Sequence, residues 1–251
     1  MTDALPVHWI GTLPPHHYAA LATAFFFVIY WAFAFAGLFC TRVLFPAVRL
    51  GRRLDLRPPR PGQLQAEIGW SMLSVLVFGT GSLSVWWGVH TGLFAIASGA
   101  QWTVIAIECV VLILWNDLHF YACHWLLHRK ALFPRFHIQH HRSHVVTPFA
   151  TYSFHPVEAM LLGSVMPLIM PFHAFSAEAL LFLPVYSLLV NTMGHSNYDL
   201  FPARRTGQLT TFSRRHQMHH AKFHGNYGFM LPWLDALLRT RVVDLKPATT
   251  A

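Results

Sequence analysis

Histidine is the residue type that gives this sequence its chemical character. The chain contains 18 His, as many as its Lys and Arg together, but only three Cys, none of which form a CxxC pair. The Cys content excludes both a disulfide framework and a thiolate zinc site. Any metal would therefore have to be bound through imidazole nitrogen.

Eight of the histidines form three clusters with regular spacing. The first is HWLLH, in which two imidazoles stand four residues apart and project from one face of a helix. The other two share the spacing HxxHH. The cluster members are His124 and His128, then His137, His140 and His141, and finally His216, His219 and His220.

The number and geometry of these imidazoles predict two metal ions. In HxxHH, the residues at i and i+3 share a helix face, and the third imidazole points about 100° away from its neighbour. It can therefore reach a second metal, so we expect His140 and His141, and likewise His219 and His220, to serve different ions. Eight imidazoles also exceed the four ligands of one tetrahedral zinc site.

Polar residues outside the clusters are candidates to complete or orient the site. His155 precedes Glu158 by three residues, and His195 precedes Asp199 by four. Each pair could be a metal ligand with a carboxylate that orients its ring. Asp117 is either an anchor for an imidazole N–H or an interfacial carboxylate.

Long uncharged segments must position these histidines, and their composition indicates a membrane protein. The chain is 54% hydrophobic and 11% charged, against about 25% charged in a usual soluble domain. Tyr18 to Thr41 is uncharged and long enough to cross a hydrocarbon core of about 30 Å. Because it lacks the basic flank of a signal peptide, we expect it to be retained.

Two further hydrophobic blocks follow. Residues 68–115 contain one ionised side chain, Glu108, and predict two spans with a turn near residues 90–100. Glu108 either lines a substrate channel or is protonated and hydrogen-bonded to a neighbouring helix. Residues 157–193 contain three prolines and predict a hydrophobic hairpin whose halves are marginal for full spans. The predicted fold is an all-α integral membrane protein with three long transmembrane helices, this hairpin and a cytoplasmic helical cap that carries the His clusters.

The distribution of cationic residues predicts the orientation in the membrane. With these spans, all 18 Lys and Arg fall on one side, which the positive-inside rule assigns to the cytoplasm. The His clusters lie in the same segments, so they are predicted to be cytoplasmic and the N-terminus to be outside. We interpret the basic surface as attraction to anionic lipid headgroups rather than nucleic-acid binding.

The motif order resembles that of the fatty acid hydroxylase superfamily, also called the sterol desaturase family, of integral-membrane dinuclear iron oxygenases. The resemblance rests on the series HxxxH, HxxHH, HxxHH, with Asp117 and Phe120-Tyr121 before the first cluster and Asn226-Tyr227-Gly228 after the last. It covers about residues 67–241. We therefore divide the chain into an N-terminal span and basic loop, residues 1–66, and a catalytic segment, residues 67–251, which form one folding unit.

The resemblance implies an O2-dependent oxidation of a membrane lipid or sterol-like substrate. Two His-ligated irons would bind O2, accept two electrons and hydroxylate an unactivated C–H bond, with desaturation as the alternative outcome. Asn226 would support the site from outside the ligand set. Zinc could replace iron in recombinant material, because imidazole sites bind zinc readily.

Other functional classes lack their signatures. The sequence has no HExxH, G-x-S-x-G or P-loop motif, which disfavours a metalloprotease, esterase or NTPase. It also has no Cys set for an iron–sulfur cluster and no Rossmann glycine motif, so electrons would come from a separate electron-transfer protein. A metal transporter or sensor is a third interpretation. It is disfavoured because transporters place their ligands at mid-membrane, usually with carboxylates.

Overall fold

The computed structural model describes residues 8–204 and 206–242, and helices dominate it. Within these residues, four helical segments are long and apolar enough to cross a membrane: Pro15–Ala47, Gln63–His90, Trp102–Leu127 and Ala177–Gly194. The prediction of an all-α integral membrane protein is therefore confirmed. The predicted location of the N-terminus concerns residues outside the described range.

The first span is a long helix whose last turns change their hydrogen-bonding pattern. The short helix α1 (His8–Thr12) precedes α2 (Pro15–Phe39). Proline suits the first turn of α2 because a backbone N–H there has no helical partner. The helix continues through a π-helical turn, Cys40–Leu44, into α3 (Phe45–Ala47).

The second and third spans are the two spans predicted within residues 68–115. The second consists of α4 (Gln63–Gly81) and α5 (Leu83–His90), and the third is α6 (Trp102–Leu127). The predicted turn lies between α5 and α6. α4 crosses α2 closely at Gly79, where an added Cβ would overlap Thr23. Small residues allow such backbone approach between membrane helices.

The predicted hairpin has two unequal arms. Its first arm is broken into α8 (Pro156–Gly163), α9 (Val165–Ile169) and a 3₁₀ turn, Met170–Phe172. The second arm, α10 (Ala177–Gly194), is continuous through Pro184. At 18 residues, α10 is long and apolar enough to span a membrane, which the sequence prediction had rated as marginal.

Glu108 ties the hairpin to α6 at the end of the spans opposite the His clusters. Its carboxylate accepts hydrogen bonds from the Ser176 backbone N–H at 3.0 Å and from His173 Nε2 at 2.9 Å. Strand β2 (Ile96–Ala97) pairs in parallel with β3 (Phe175–Ser176) at the same place. Of the two roles predicted for Glu108, the hydrogen bond to a neighbouring helix is found at Ser176, the N-cap of α10, but the carboxylate accepts there and does not donate as a protonated acid would.

Short elements carry the His clusters at the other end of the spans. Strand β1 (Arg52–Arg53) pairs antiparallel with β4 (Tyr198–Asp199), which ties the loop after the first span to the segment after α10. The remaining elements are a π-helical turn at Phe133–His137, α7 (Ile138–His141), a 3₁₀ turn at Pro148–Tyr152, another at Leu209–Thr211, α11 (Phe212–Lys222) and α12 (Trp233–Leu237).

Candidate metal centre

Four separate parts of the fold bring the histidine side chains together. The HWLLH motif occupies the last turn of α6 and its C-cap residue, His128. The HIQHH motif runs from the π-helical turn into α7, and HQMHH lies within α11. His195, the C-cap residue of α10, is the fourth contribution. Each position lies at a helix end or in a short helix, where an imidazole can extend beyond the packed spans.

The imidazoles form two adjacent groups of metal-ligand type. In each group, one donor atom from every member lies within 4.8 Å of the donors of all the others. We call them group A and group B. Group A comprises His124, His128, His137, His141 and His219, and group B comprises His140, His195, His216 and His220.

The two members of each HH pair lie in different groups, the division that the 100° step of a helix predicts. The predicted i, i+3 sharing is wrong in detail. His137 groups with His141 and not with His140, and His216 groups with His220 and not with His219. The reason is helix geometry. The side chains of an i, i+4 pair differ by only about 40° in direction about the helix axis, against about 60° for an i, i+3 pair, so the i, i+4 pair meets more closely.

Distances between Nε2 atoms fit ligands of a common ion. In group A, Nε2 of His219 lies 3.1 Å from that of His128 and 3.1 Å from that of His141. In group B, Nε2 of His216 lies 3.0 Å from that of His195 and 3.1 Å from that of His220. Two nitrogens bound at about 2.1 Å and near a right angle would be about 3 Å apart.

Backbone carbonyls determine which nitrogen of three rings carries the hydrogen. The Nδ1 atoms of His124, His195 and His219 lie 2.9, 2.9 and 2.7 Å from the carbonyl oxygens of Tyr227, Asn191 and Gly225, respectively. A carbonyl oxygen can only accept, so each Nδ1 is protonated and each Nε2 presents a lone pair. Lone pairs that converge in this way suit a cation, and the residues present therefore fit a bound metal ion.

Burial keeps the imidazoles neutral. Burial lowers the pKa of His195 to about 4 and that of His128 to about 2. It also lowers the pKa of six further rings well below the usual value of 6.5, with neighbouring imidazoles adding to the effect. These rings are His137, His140, His141, His216, His219 and His220. A neutral imidazole is the form that binds a metal.

Glu158 orients a ring, but not the one predicted. Its Oε1 accepts the Nδ1–H of His137 at 2.8 Å, and both side chains are almost fully buried. His155 instead caps α8, where its Nδ1 accepts the Val157 backbone N–H at 3.2 Å. His155 lies outside groups A and B and is therefore not one of the candidate ligands.

Asp199 does not orient His195, contrary to the sequence prediction. Its carboxylate pairs with the guanidinium of Arg214, whose Nε lies 2.9 Å away, and accepts the Phe201 backbone N–H. The guanidinium offers several charged donors to this carboxylate, whereas an imidazole offers one neutral N–H. The backbone of Asn191 therefore fills the orienting role for His195.

The segment from Gly225 to Leu231, here called the 225–231 loop, is held by two buried carboxylates. Asp117 accepts the backbone N–H groups of Met230 and Leu231 at 3.0 and 2.9 Å. Asp235 accepts those of Tyr227 and Gly228, each at 2.8 Å. Asp117 thus anchors backbone N–H groups and not the imidazole N–H that was one of its two predicted partners. Because Gly225 and Tyr227 supply carbonyls to His219 and His124, the carboxylates act on the rings through the backbone.

Asn226 also acts on this loop and not directly on an imidazole. Its Oδ1 accepts the Val242 backbone N–H at 2.9 Å, and its own N–H donates to the Thr240 carbonyl at 2.9 Å. Its φ of 50° lies in the left-handed region, which asparagine adopts more readily than most residues. Sequence reasoning did not single out Asp235 as a site residue. It also missed all three orienting carbonyls, because backbone acceptors have no signal in residue type.

Comparison with known proteins agrees with this donor set. The family model described as fatty acid hydroxylase matches residues 109–240, a range that contains both His groups. A Delta(7)-sterol 5(6)-desaturase, ERG3B of Gibberella zeae, is 26% identical over 194 residues, which cover 73% of this chain and 58% of the relative. The lathosterol oxidase of Mus musculus is 28% identical over 131 residues, 51% of this chain and 42% of the relative.

A relative named for a different activity is the very-long-chain aldehyde decarbonylase GL1-1 of Oryza sativa subsp. indica. It is 29% identical over 145 residues, which cover 53% of this chain and 23% of the relative. The aligned regions span 58%, 37% and 35% of the lengths of three sterol desaturases, so the chain covers less than two thirds of these curated relatives. No solved structure matches the chain.

Proposed function

Because the chain belongs to the fatty acid hydroxylase family, we propose that it hydroxylates an unactivated C–H bond of a membrane lipid or sterol-like substrate with O2. We further propose that groups A and B hold a dinuclear iron centre for this reaction. The observation that carries both proposals is the convergence of nine imidazole donors in two adjacent groups. Nitrogen ligands of this kind suit redox-active iron.

The work of the protein in this mechanism is to hold and protect the centre. Iron, when bound, would supply the activation of O2 that the cleavage of an unactivated C–H bond requires. Glu158 and the carbonyls of Gly225, Tyr227 and Asn191 hold rings in the orientation that directs Nε2 inward. Burial of the rings excludes bulk water from the reacting centre.

We propose that this centre faces the cytoplasm. Support comes from the Lys and Arg of the described residues, which fall within residues 42–60, 129–142 and 204–241, at the His-cluster end of the spans. A cytoplasmic centre could receive electrons from a separate electron-transfer protein. A basic surface suits an acidic protein donor of that kind.

Residues 1–66 and 67–251 are proposed to fold as one unit. Tyr30 donates its hydroxyl hydrogen to the Phe149 carbonyl at 3.0 Å, and Gln63 Nε2 donates to the Val145 carbonyl at 2.8 Å. Both bonds join the N-terminal segment to the segment that follows HIQHH. These bonds support a single folding unit, in which residues 1–66 and 67–251 differ in motif content but do not fold independently.

Desaturation is the second candidate activity, and the names of the relatives favour it. Several of them are sterol desaturases, in which loss of a second hydrogen gives an alkene. Transport or sensing of metal has less support, because groups A and B lie at the basic end of the spans and contain no carboxylate ligand.

Lipid mass spectrometry of cells with and without the protein tests the proposed function. Hydroxylation adds the mass of one oxygen atom to a lipid, and desaturation removes the mass of two hydrogens. We expect the product with the wild-type chain and with His90→Ala, whose imidazole is exposed at the opposite end of the spans. His220→Ala should abolish it. Iron-loaded wild-type protein that changes no lipid would contradict the proposal.

A further inference from the structure

Two adjoining cavities lie between the spans and lead towards the His groups. The inner cavity has a volume of about 90 Å³ and the outer one about 290 Å³. Phe26, Met166 and Pro184 line both cavities. The inner cavity is also lined by Phe154, whose ring centroid lies 5.0 Å from that of His140 in group B. A molecule that fills both cavities would therefore have one end beside the proposed metal centre.

The lining of the cavities indicates an uncharged occupant. Among the described residues, no Asp, Glu, Lys or Arg lines either cavity. The outer cavity is lined mainly by aliphatic and aromatic side chains, whereas the inner one also has the polar side chains Asn116, His119, Ser187 and Asn191. An ionised headgroup would have no countercharge here, and the burial of such a charge is costly.

Asn116 is a deeply buried polar group of the inner cavity whose amide nitrogen has no partner among the described residues. The residue is 5% exposed, and its Nδ2 is buried without a hydrogen-bond partner in the part of the chain that the structure describes. Two neighbouring polar groups are engaged: His119 Nε2 contacts Ser164 Oγ at 3.1 Å, and Asn191 Nδ2 donates to the Thr151 carbonyl at 2.7 Å. A buried N–H without an acceptor is destabilising, so an occupant that supplies one would explain it.

Resting on the function proposed above, we propose that the inner cavity binds the oxygen-bearing end of an uncharged lipid. Asn116 donates an N–H to a hydroxyl or carbonyl oxygen of that lipid, and the hydrocarbon body fills the outer cavity. Asn116 lies eight residues, or about 12 Å along the helix, before His124 on α6. The oxidised carbon therefore lies towards the oxygen-bearing end of the lipid and not at the far end of its hydrocarbon.

Competition between simple long-chain lipids for the purified, metal-loaded full chain in detergent tests this subsite. Radiolabelled 1-hexadecanol is displaced by unlabelled 1-hexadecanol, hexadecane or ionised palmitate, with free concentrations corrected for partition into micelles. We expect the alcohol to compete about tenfold better than the alkane, the size of one buried hydrogen bond. Ionised palmitate should compete less well than the alcohol.

Asn116→Leu keeps the approximate side-chain volume and removes the donor, so it should abolish the preference for alcohol over alkane. Thr80→Val is the matched control, because Thr80 is an exposed polar residue on another span and lines neither cavity. It should keep the preference. Bound metal is measured in every variant, and unchanged metal shows that the centre has folded.

Equal competition by alcohol and alkane in the wild type, or a preference retained in Asn116→Leu, would overturn the subsite. The wild-type comparison decides the matter if Asn116→Leu loses metal. Binding needs no turnover, so the two proposals fail separately. Selective binding without any lipid oxidation would contradict only the proposed function, and lipid oxidation without selective binding would contradict only the role of Asn116.

Discussion

Tyr227 connects Asp235 to His124 through the two polar groups of its backbone. Its N–H donates to Asp235 Oδ1 at 2.8 Å, and its carbonyl accepts the Nδ1–H of His124 at 2.9 Å. Asp235 therefore helps to set the direction of an imidazole that it does not touch. The second oxygen of the same carboxylate accepts the Gly228 N–H, which fixes the loop at the next residue as well.

Replacement of Asp235 should weaken metal binding. We expect Asp235→Ala to lower metal affinity by about 10- to 100-fold, the usual effect of losing a group that orients a ligand. Asp235→Asn retains one acceptor oxygen and should have a smaller effect. Affinity is measured by competition with a chelator. Glu178→Gln, a carboxyl change in the first turn of α10, is the control. Equal affinities in Asp235→Ala and wild type would contradict this role.

Glu158 should act on group A and leave group B intact. Glu158→Leu removes the acceptor of His137 Nδ1–H, whereas Glu158→Gln retains a carbonyl oxygen at a similar position. We expect the metal content of Glu158→Leu to fall from two ions per chain towards one, with the Gln variant close to wild type. Metal per protein is measured by elemental mass spectrometry. Equal loss in both variants would contradict a role for Glu158 as the acceptor of the His137 N–H.

The division of the HH pairs predicts separable losses of metal. His141→Ala removes a donor of group A, and His140→Ala removes one of group B. Group B has four members and group A has five. The loss of one donor should therefore lower the metal affinity of group B in His140→Ala more than that of group A in His141→Ala. Both variants should lack lipid oxidation.

Chelator competition on the two single variants and on their double variant checks this division. The double variant should release both ions, and His90→Ala should retain them. Metal loss in His90→Ala, or full metal content in the double variant, would contradict the assignment of the groups.

Orientation in the membrane follows from the basic segments. We expect a reporter fused after the last residue, or inserted in the loop of residues 54–61, to be on the cytoplasmic side. A reporter inserted between α5 and α6 should be on the opposite side. Reporter pairs that are active only in the cytoplasm or only outside it measure these positions. A non-cytoplasmic reporter in the 54–61 loop would contradict the orientation inferred from charge.

Helical spacing correctly predicted that the two members of each HH pair lie in different groups. The prediction that the i and i+3 residues share a group was wrong. Adjacent residues on any helix diverge by about 100°, so the separation of His140 from His141 needed no knowledge of the tertiary structure. The grouping of His137 with His141, like that of His216 with His220, follows from the smaller rotation about the helix axis of an i, i+4 pair, about 40° against about 60° for an i, i+3 pair. Long uncharged segments likewise predicted the spans, because their length alone is informative.

The acceptors that orient the imidazole rings could not be predicted from sequence proximity. Asp199 stands near His195 in sequence, but Arg214 on α11 supplies a stronger donor to that carboxylate. Glu158 stands near His155 in sequence, yet its partner His137 comes from 21 residues away. Such contacts depend on which elements meet in three dimensions, and the acceptors for His124 and His219 are backbone atoms.

Acid should destabilise the metal-free protein. Burial lowers the pKa of His195 to about 4, and that of His141 well below 6.5, in the folded state, so these rings stay neutral where an unfolded chain would be protonated. Below about pH 6.5 the unfolded state then binds more protons, and the free energy of unfolding falls by about 1.4 kcal/mol per pH unit for each such ring. We expect the thermal transition temperature in detergent to fall between pH 7 and pH 5.

His141→Ala removes one such ring and should reduce the slope of transition temperature against pH, whereas His90→Ala should leave that slope unchanged. A transition temperature that is constant over this range would show that the rings are not held neutral by burial.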